Sequence, residues 1–202
     1  MPVSFEHNCI FVHIPKNAGT LICSWLETLD PIRFNIDRSP MTASQMIAVD
    51  IGFKKKFSFA ISRNPFTRIM SVWRYSIDQK IKNYDHLSTK EQSLLSKHAG
   101  DFNAWFWDVA VYMDHDRSFM ILPQWYWIYE EDKLLVNEVW RIEDMTNICG
   151  ELNARLGTNF TNNIMINQSY GSKDYQRLAS LETKQVLLKL YASDCDKFNY
   201  EW

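Results

Sequence analysis

Cys9-Ile-Phe-Val-His-Ile-Pro-Lys-Asn-Ala-Gly-Thr20 joins an apolar run to the start of a helical pattern through a tight loop. Cys9 to Ile14 reads as a buried strand, and Pro15 stops it because its missing N–H cannot continue a ladder. From there Leu21, Ile22, Trp25, Leu26 and Leu29 recur on one helical face, which places Thr20 at the helix start. A strand end that turns into a helix N-terminus exposes backbone N–H groups at the positive end of a helix dipole. Lys16 adds a mobile full charge, so the loop reads as a phosphate-type anion site. Gly19 allows close approach of the backbone to an anion, and the Thr20 hydroxyl offers one more donor. An ordinary turn with an exposed lysine accounts for Lys16 and Gly19 but not for the whole string.

A second junction repeats the pattern. Phe57 to Ser62 is another apolar strand, followed by Arg63-Asn-Pro-Phe-Thr-Arg-Ile-Met-Ser-Val-Trp73. Asn64 suits the cap of a helix and Pro65 its first position, so Arg63 falls at the strand end beside a second helix N-terminus. Arg68 and Ser71 are three apart and share a helical face, while Ile69, Val72 and Trp73 turn to the core. An arginine fork with a hydroxyl one or two turns later suits a terminal phosphate.

The nucleotide-kinase loop G-x-x-x-x-G-K-[ST] is absent: the chain has six glycines, none of them five before a Gly-Lys pair. Pro-Lys-Asn-Ala-Gly-Thr resembles instead the 5′-phosphosulfate loop of sulfotransferases that use 3′-phosphoadenosine 5′-phosphosulfate (PAPS). The closest wording is that of the carbohydrate (family 2) branch, H-I-P-K-[TN]-[AG]-G-T. The second stretch matches that family's 3′-phosphate motif, R-[ND]-P-x-x-R-x-x-S-x-[WYF], at every fixed position. Further likeness extends over nearly the whole chain, to the ending Asp194-Cys-Asp-Lys-Phe-Asn-Tyr200.

The resemblance implies an α/β fold, a three-layer sandwich with a mainly parallel central sheet of the P-loop-like sulfotransferase type, in a single domain over residues 1–202. It implies transfer of sulfonate from PAPS to a hydroxyl, with a carbohydrate as the expected acceptor and no metal. Backbone N–H groups of Asn17, Ala18, Gly19, Thr20 and Leu21 would hold the 5′-phosphate and sulfonate. Lys16 would stabilise charge on the bridging oxygen as it leaves. Arg63 and Ser71 would hold the 3′-phosphate, joined by Lys173 from a late loop, Asn167 to Tyr175. In many members a histidine before a short helix is a candidate base, but here those positions read Arg38-Ser39-Pro40-Met41. Among the remaining histidines, His115 is the chosen base because it lies in a polar turn just before Pro123-Gln124. His86 and His98 read as solvated, and His13 belongs to the first strand.

Two other functions stay open at this level. A P-loop-like kinase using ATP would need magnesium, and a non-catalytic nucleotide- or glycan-binding module would lack PAPS turnover.

The 202 residues, 46% hydrophobic and 14% aromatic, suit a globular domain with a large core. A net charge of −2 argues against a nucleic-acid partner, and Lys54-Lys55-Lys56 reads as a solvated turn. There is no apolar run of about eighteen residues and the first residues are polar, so neither a membrane span nor a signal peptide is expected. A soluble, cytoplasmic protein follows as the expectation; the oligomeric state is open. Cys9, Cys23, Cys149 and Cys195 are widely spaced and read as free thiols rather than a disulfide framework or a zinc site. Later segments read as helices over Thr42 to Val49, Val72 to Asp85, Asp101 to Tyr112, Met145 to Leu156 and Leu181 to Tyr191, with one strand over Lys133 to Arg141. Trp105, Trp107, Trp125 and Trp127 suit sugar stacking, although the core is the commoner place for tryptophan.

Overall fold

Strands form where the apolar runs are β-branched or aromatic, and helices start where a side chain can take up their first N–H groups. The computed structural model describes residues 2–30, 40–49, 52–86, 88–111, 119–161 and 175–201. In chain order the elements begin with β1 (Val3–Ser4), β2 (Cys9–Val12), α1 (Gly19–Leu29), α2 (Ala43–Ala48), β3 (Phe57–Ser62) and α3 (Pro65–Lys82). Then come α4 (Thr89–Gly100), α5 (Phe102–Trp105), α6 (Trp125–Ile128), β4 (Tyr129–Glu130), β5 (Lys133–Leu134) and β6 (Glu138–Arg141). The last helices are α7 (Met145–Leu156), α8 (Tyr175–Leu178), α9 (Leu181–Leu190) and α10 (Ala192–Phe198). The chain is therefore α/β, and it divides into two compact units. The first comprises Met1–Arg63 and Gln124–Gln168, the second Asn64–Pro123 and Ser169–Trp202.

The first unit is built on a mixed, mainly parallel sheet of order β1-β2-β3-β6. β2 runs parallel to β3, from Cys9 opposite Phe57 to Val12 opposite Ala60, and β3 runs parallel to β6, from Phe59 opposite Glu138 to Ser62 opposite Arg141. β1 is the antiparallel edge. Every residue of β2 is buried, as an apolar run in a parallel strand requires. One face of the sheet, through Cys9, Phe11, Phe59 and Ile61, packs with Leu21, Ile22, Trp25 and Leu26 of α1 and Ile148, Cys149 and Leu152 of α7. Phe160 closes this core by stacking on Trp25 at a centroid distance of 4.5 Å. The expected single strand over Lys133 to Arg141 is in fact two. Leu134 pairs with Tyr129 in a separate hairpin, and the Asn137 side chain accepts the Ser58 N–H at 2.8 Å, so the chain joins the main sheet only from Glu138.

The second unit is helical among the described residues. Asn64 caps α3 by accepting from the Phe66 and Thr67 N–H groups, and Pro65 occupies the first position, as the sequence implies. The predicted extension to Asp85 stops at Lys82. Phe66, Ile69, Met70, Val72, Trp73 and Ile77 of α3 form one core with Leu95, Phe102, Trp105, Leu187 and Tyr191. Ser88 and Glu91 close a capping box on α4, and Asp101 caps α5, after which Phe106–Val111 widens into a π-helical turn.

Arg68 does not share Ser71's partly exposed setting. It is fully buried, donating from Nη2 to the Met120 carbonyl at 2.8 Å. Burial lowers its pKa, and the nearby Tyr191 and Asp194 oppose that shift. Asp194 is itself fully buried, and Phe198 and Tyr200 of the same ending are buried with it.

All four cysteines are free thiols. Trp105 and Trp127 belong to the core, Trp107 is half-buried and donates to Thr183, and Tyr126 is the exposed aromatic of α6. No helix among the described residues is long and apolar enough to cross a membrane.

Candidate active site

Two left-handed residues shape the loop after β2. Lys16 has φ 69° and Ala18 φ 57°, conformations that non-glycine side chains resist and that cluster at functional loops. The alternation curls the backbone into a concavity of the kind that holds anions. The Asn17 N–H turns back to the Ile14 carbonyl at 3.3 Å. Helix α1 then starts at Gly19 with Ala18 at its cap position, and no side chain caps it. Helices α2, α3, α4 and α9 each have a side-chain cap; α1 does not. The N–H groups of Ala18, Gly19, Thr20 and Leu21 have no acceptor among the described residues. An uncapped first turn concentrates the positive end of the dipole, and Lys16 and the exposed Thr20 stand beside it.

Gly19 is buried for a reason the sequence did not show. A Cβ built on it would fall inside the imidazole ring of His13. That ring stacks on Phe11 at 5.8 Å between centroids. Burial, with a smaller effect of the Lys16 charge, lowers the His13 pKa to about 4. His13 is therefore neutral at pH 7.

Arg63 lies at the end of β3, in the first unit with the loop. Its Nη1 donates to the Lys16 carbonyl at 3.3 Å. Asn17 and Gln124 complete the bracing. Asn17 Nδ2 donates to the Ile61 carbonyl at 2.8 Å and to Gln124 Oε1 at 2.6 Å. Gln124 Oε1 also accepts from the Arg63 N–H at 2.8 Å, and its Nε2 donates to the Arg63 carbonyl at 2.8 Å. Both amides are fully buried. β2 has stopped by this point, so the two side chains serve the carbonyls and N–H groups of the outrunning β3 end in place of a neighbouring strand.

The structure thus brings Lys16, Asn17, Ala18, Gly19, Thr20, Leu21 and Arg63 together in one unit. Ser71 belongs to the second unit, half-buried on α3. His115 and Lys173 lie outside the described residues, as does Arg38-Ser39; Pro40 and Met41 precede α2, which Thr42 and Gln45 close with a capping box. His86 is exposed, as expected. His98 is not: it is buried on α4, with Nε2 3.0 Å from Asp108 Oδ2, which also accepts from Lys97 at 2.7 Å. Among the described residues no cluster of acidic, His or Cys side chains could hold a metal ion. Sequence reasoning placed Gln124 in an acceptor-side stretch and missed its bracing role. The usable signal was a lone amide between Pro123 and three aromatic or apolar neighbours, since a buried amide must be paired.

A mainly parallel sheet whose strand end passes through an uncapped, lysine-bearing loop into a helix defines a P-loop-like anion-binding protein. Its family is specific: the sulfotransferase family model matches residues 2–201, and the chain belongs to that family. This bears out the resemblance to the family 2 branch. No curated protein and no solved structure matches the chain.

Proposed function

We propose that this chain transfers sulfonate from PAPS to an acceptor hydroxyl, with a carbohydrate as the expected acceptor. The observation that carries the reading is the uncapped start of α1 with Lys16 held beside it. PAPS supplies a sulfonate on its 5′-phosphate and a distinguishing 3′-phosphate. The N–H groups of Asn17 through Leu21 are assigned to the 5′-phosphosulfate end, although that of Asn17 already reaches Ile14. The Lys16 ammonium neutralises charge that builds on the bridging oxygen. Arg63 takes the 3′-phosphate, and the family motif assigns Ser71 and Lys173 to the same group. His115 is the proposed base that accepts the acceptor's hydroxyl proton. The same reading carries the three-layer, single-domain sulfotransferase architecture.

The test is calorimetric titration of the product nucleotide, 3′-phosphoadenosine 5′-phosphate, against ADP and ATP without magnesium. Wild type is compared with Arg63→Ala. The expected result is binding that requires the 3′-phosphate and weakens by about 2 to 5 kcal/mol in the variant, the usual loss when one partner of a charged contact is removed. Equal or tighter binding of ATP, or indifference to Arg63, overturns the reading in favour of a kinase-like protein.

A further inference from the structure

We infer that Gln124 is a positioning residue that makes the Lys16 loop and Arg63 one anion-gripping unit, an inference that rests on the donor-site reading above. Gln124 is fully buried, yet both ends of its amide are engaged: Oε1 by the Arg63 N–H and Asn17 Nδ2, Nε2 by the Arg63 carbonyl. Arg63 Nη1 meets the Lys16 carbonyl, and Asn17 Nδ2 also meets the Ile61 carbonyl, so a closed circuit runs from loop to strand and back. Lys16 sits within that circuit at φ 69°, a conformation its surroundings must impose.

The chemistry of the position favours glutamine. It offers an acceptor and a donor at the same reach. Glutamate keeps the acceptor but sets a second oxygen against the Arg63 carbonyl; asparagine is one methylene short; methionine matches the length and makes no such bond. All of these contacts are with the braces and with Arg63's own backbone. Its loss therefore acts on Lys16 and Arg63 together, and the two stop supporting each other's grip.

Binding of 3′-phosphoadenosine 5′-phosphate by Lys16→Met, Arg63→Ala and the double variant, with Gln or Met at position 124, tests this. With Gln124 the double variant is expected to lose at least about fivefold less affinity than the product of the single losses; with Gln124→Met the losses multiply to within about twofold. The same non-additivity in both backgrounds, or simple multiplication in both, overturns the inference. Should the nucleotide bind no better than ADP, the donor reading fails, and the same cycle run with pyrophosphate still decides the coupling.

Amide hydrogen exchange gives a readout without ligand. Gln124→Met is expected to speed exchange in residues 16–22 and at 63 together by about tenfold or more, with Cys9–Val12 within about twofold. No change, or a uniform rise along the chain, marks Gln124 as an ordinary core residue and overturns the inference. If the methionine variant does not fold, Gln124→Glu is carried through both measurements with the same criteria.

Discussion

The imidazole of His13 fills the space that any side chain at residue 19 would need: a Cβ on Gly19 falls inside its ring. The glycine at this helix start is thus required by a neighbour within the protein, independently of any anion. Gly19→Ala forces the ring or the loop to move, and overpacking of this kind costs about 1 to 3 kcal/mol. Urea unfolding should show that loss, with weaker nucleotide binding alongside. Adding His13→Ala should recover most of it, and a double variant no more stable than Gly19→Ala alone would show that the ring is not the obstacle.

The same ring makes stability depend on pH. The folded chain holds His13 at about 4, below its ordinary value of 6.5. Between these values the unfolded chain binds a proton that the folded chain refuses. Stability is therefore full above about pH 6.5 and falls as the pH drops toward 4, by about 3 kcal/mol at most. Unfolding free energies at pH 7 and pH 4.5 should differ more in wild type than in His13→Ala. Equal pH dependence in the two proteins would contradict the assignment.

Arg68 belongs to the sequence motif of a phosphate site but to the interior of the second unit. Arg68→Met should leave the fully buried Asp194 without its cationic neighbour and destabilise the protein by about 3 to 5 kcal/mol. Thermal unfolding would report it. Combining the change with Asp194→Asn should restore part of the loss; a single variant as stable as wild type would remove this account of the motif.

Local chemistry made the framework legible in the sequence. Pro15 ended a strand, Asn64 and Pro65 began a helix, and apolar spacing marked the inner face of α1, because each effect acts within a few residues. The anion loop was legible for the same reason. What the sequence concealed acts across distance. Gln124 lies far along the chain from Arg63 and Asn17, and nothing in its neighbours says which backbone it will meet. Arg68 and Asp194 stand likewise at opposite ends of the second unit's sequence, and His98 turned inward because the inner face of α4 packs there. Lys133 to Arg141 misled because its apolar content is continuous, whereas the break at Asn137 is a pairing event with Ser58.

Arg63 is the last residue before the chain leaves the first unit, and Gln124 is the first on its return. The two hydrogen bonds between them tie off the root of the excursion through residues 64–123, whose ends are therefore adjacent whatever lies between. Closing a longer or shorter loop over a fixed root changes the free energy slowly, by about 0.6 kcal/mol for each doubling of length. Length changes and wholesale replacement within that excursion are thus absorbed without retuning the anion loop. Grafting and lineage divergence have a natural seam here, at which one portion of the molecule is free to drift while the other stays under constraint.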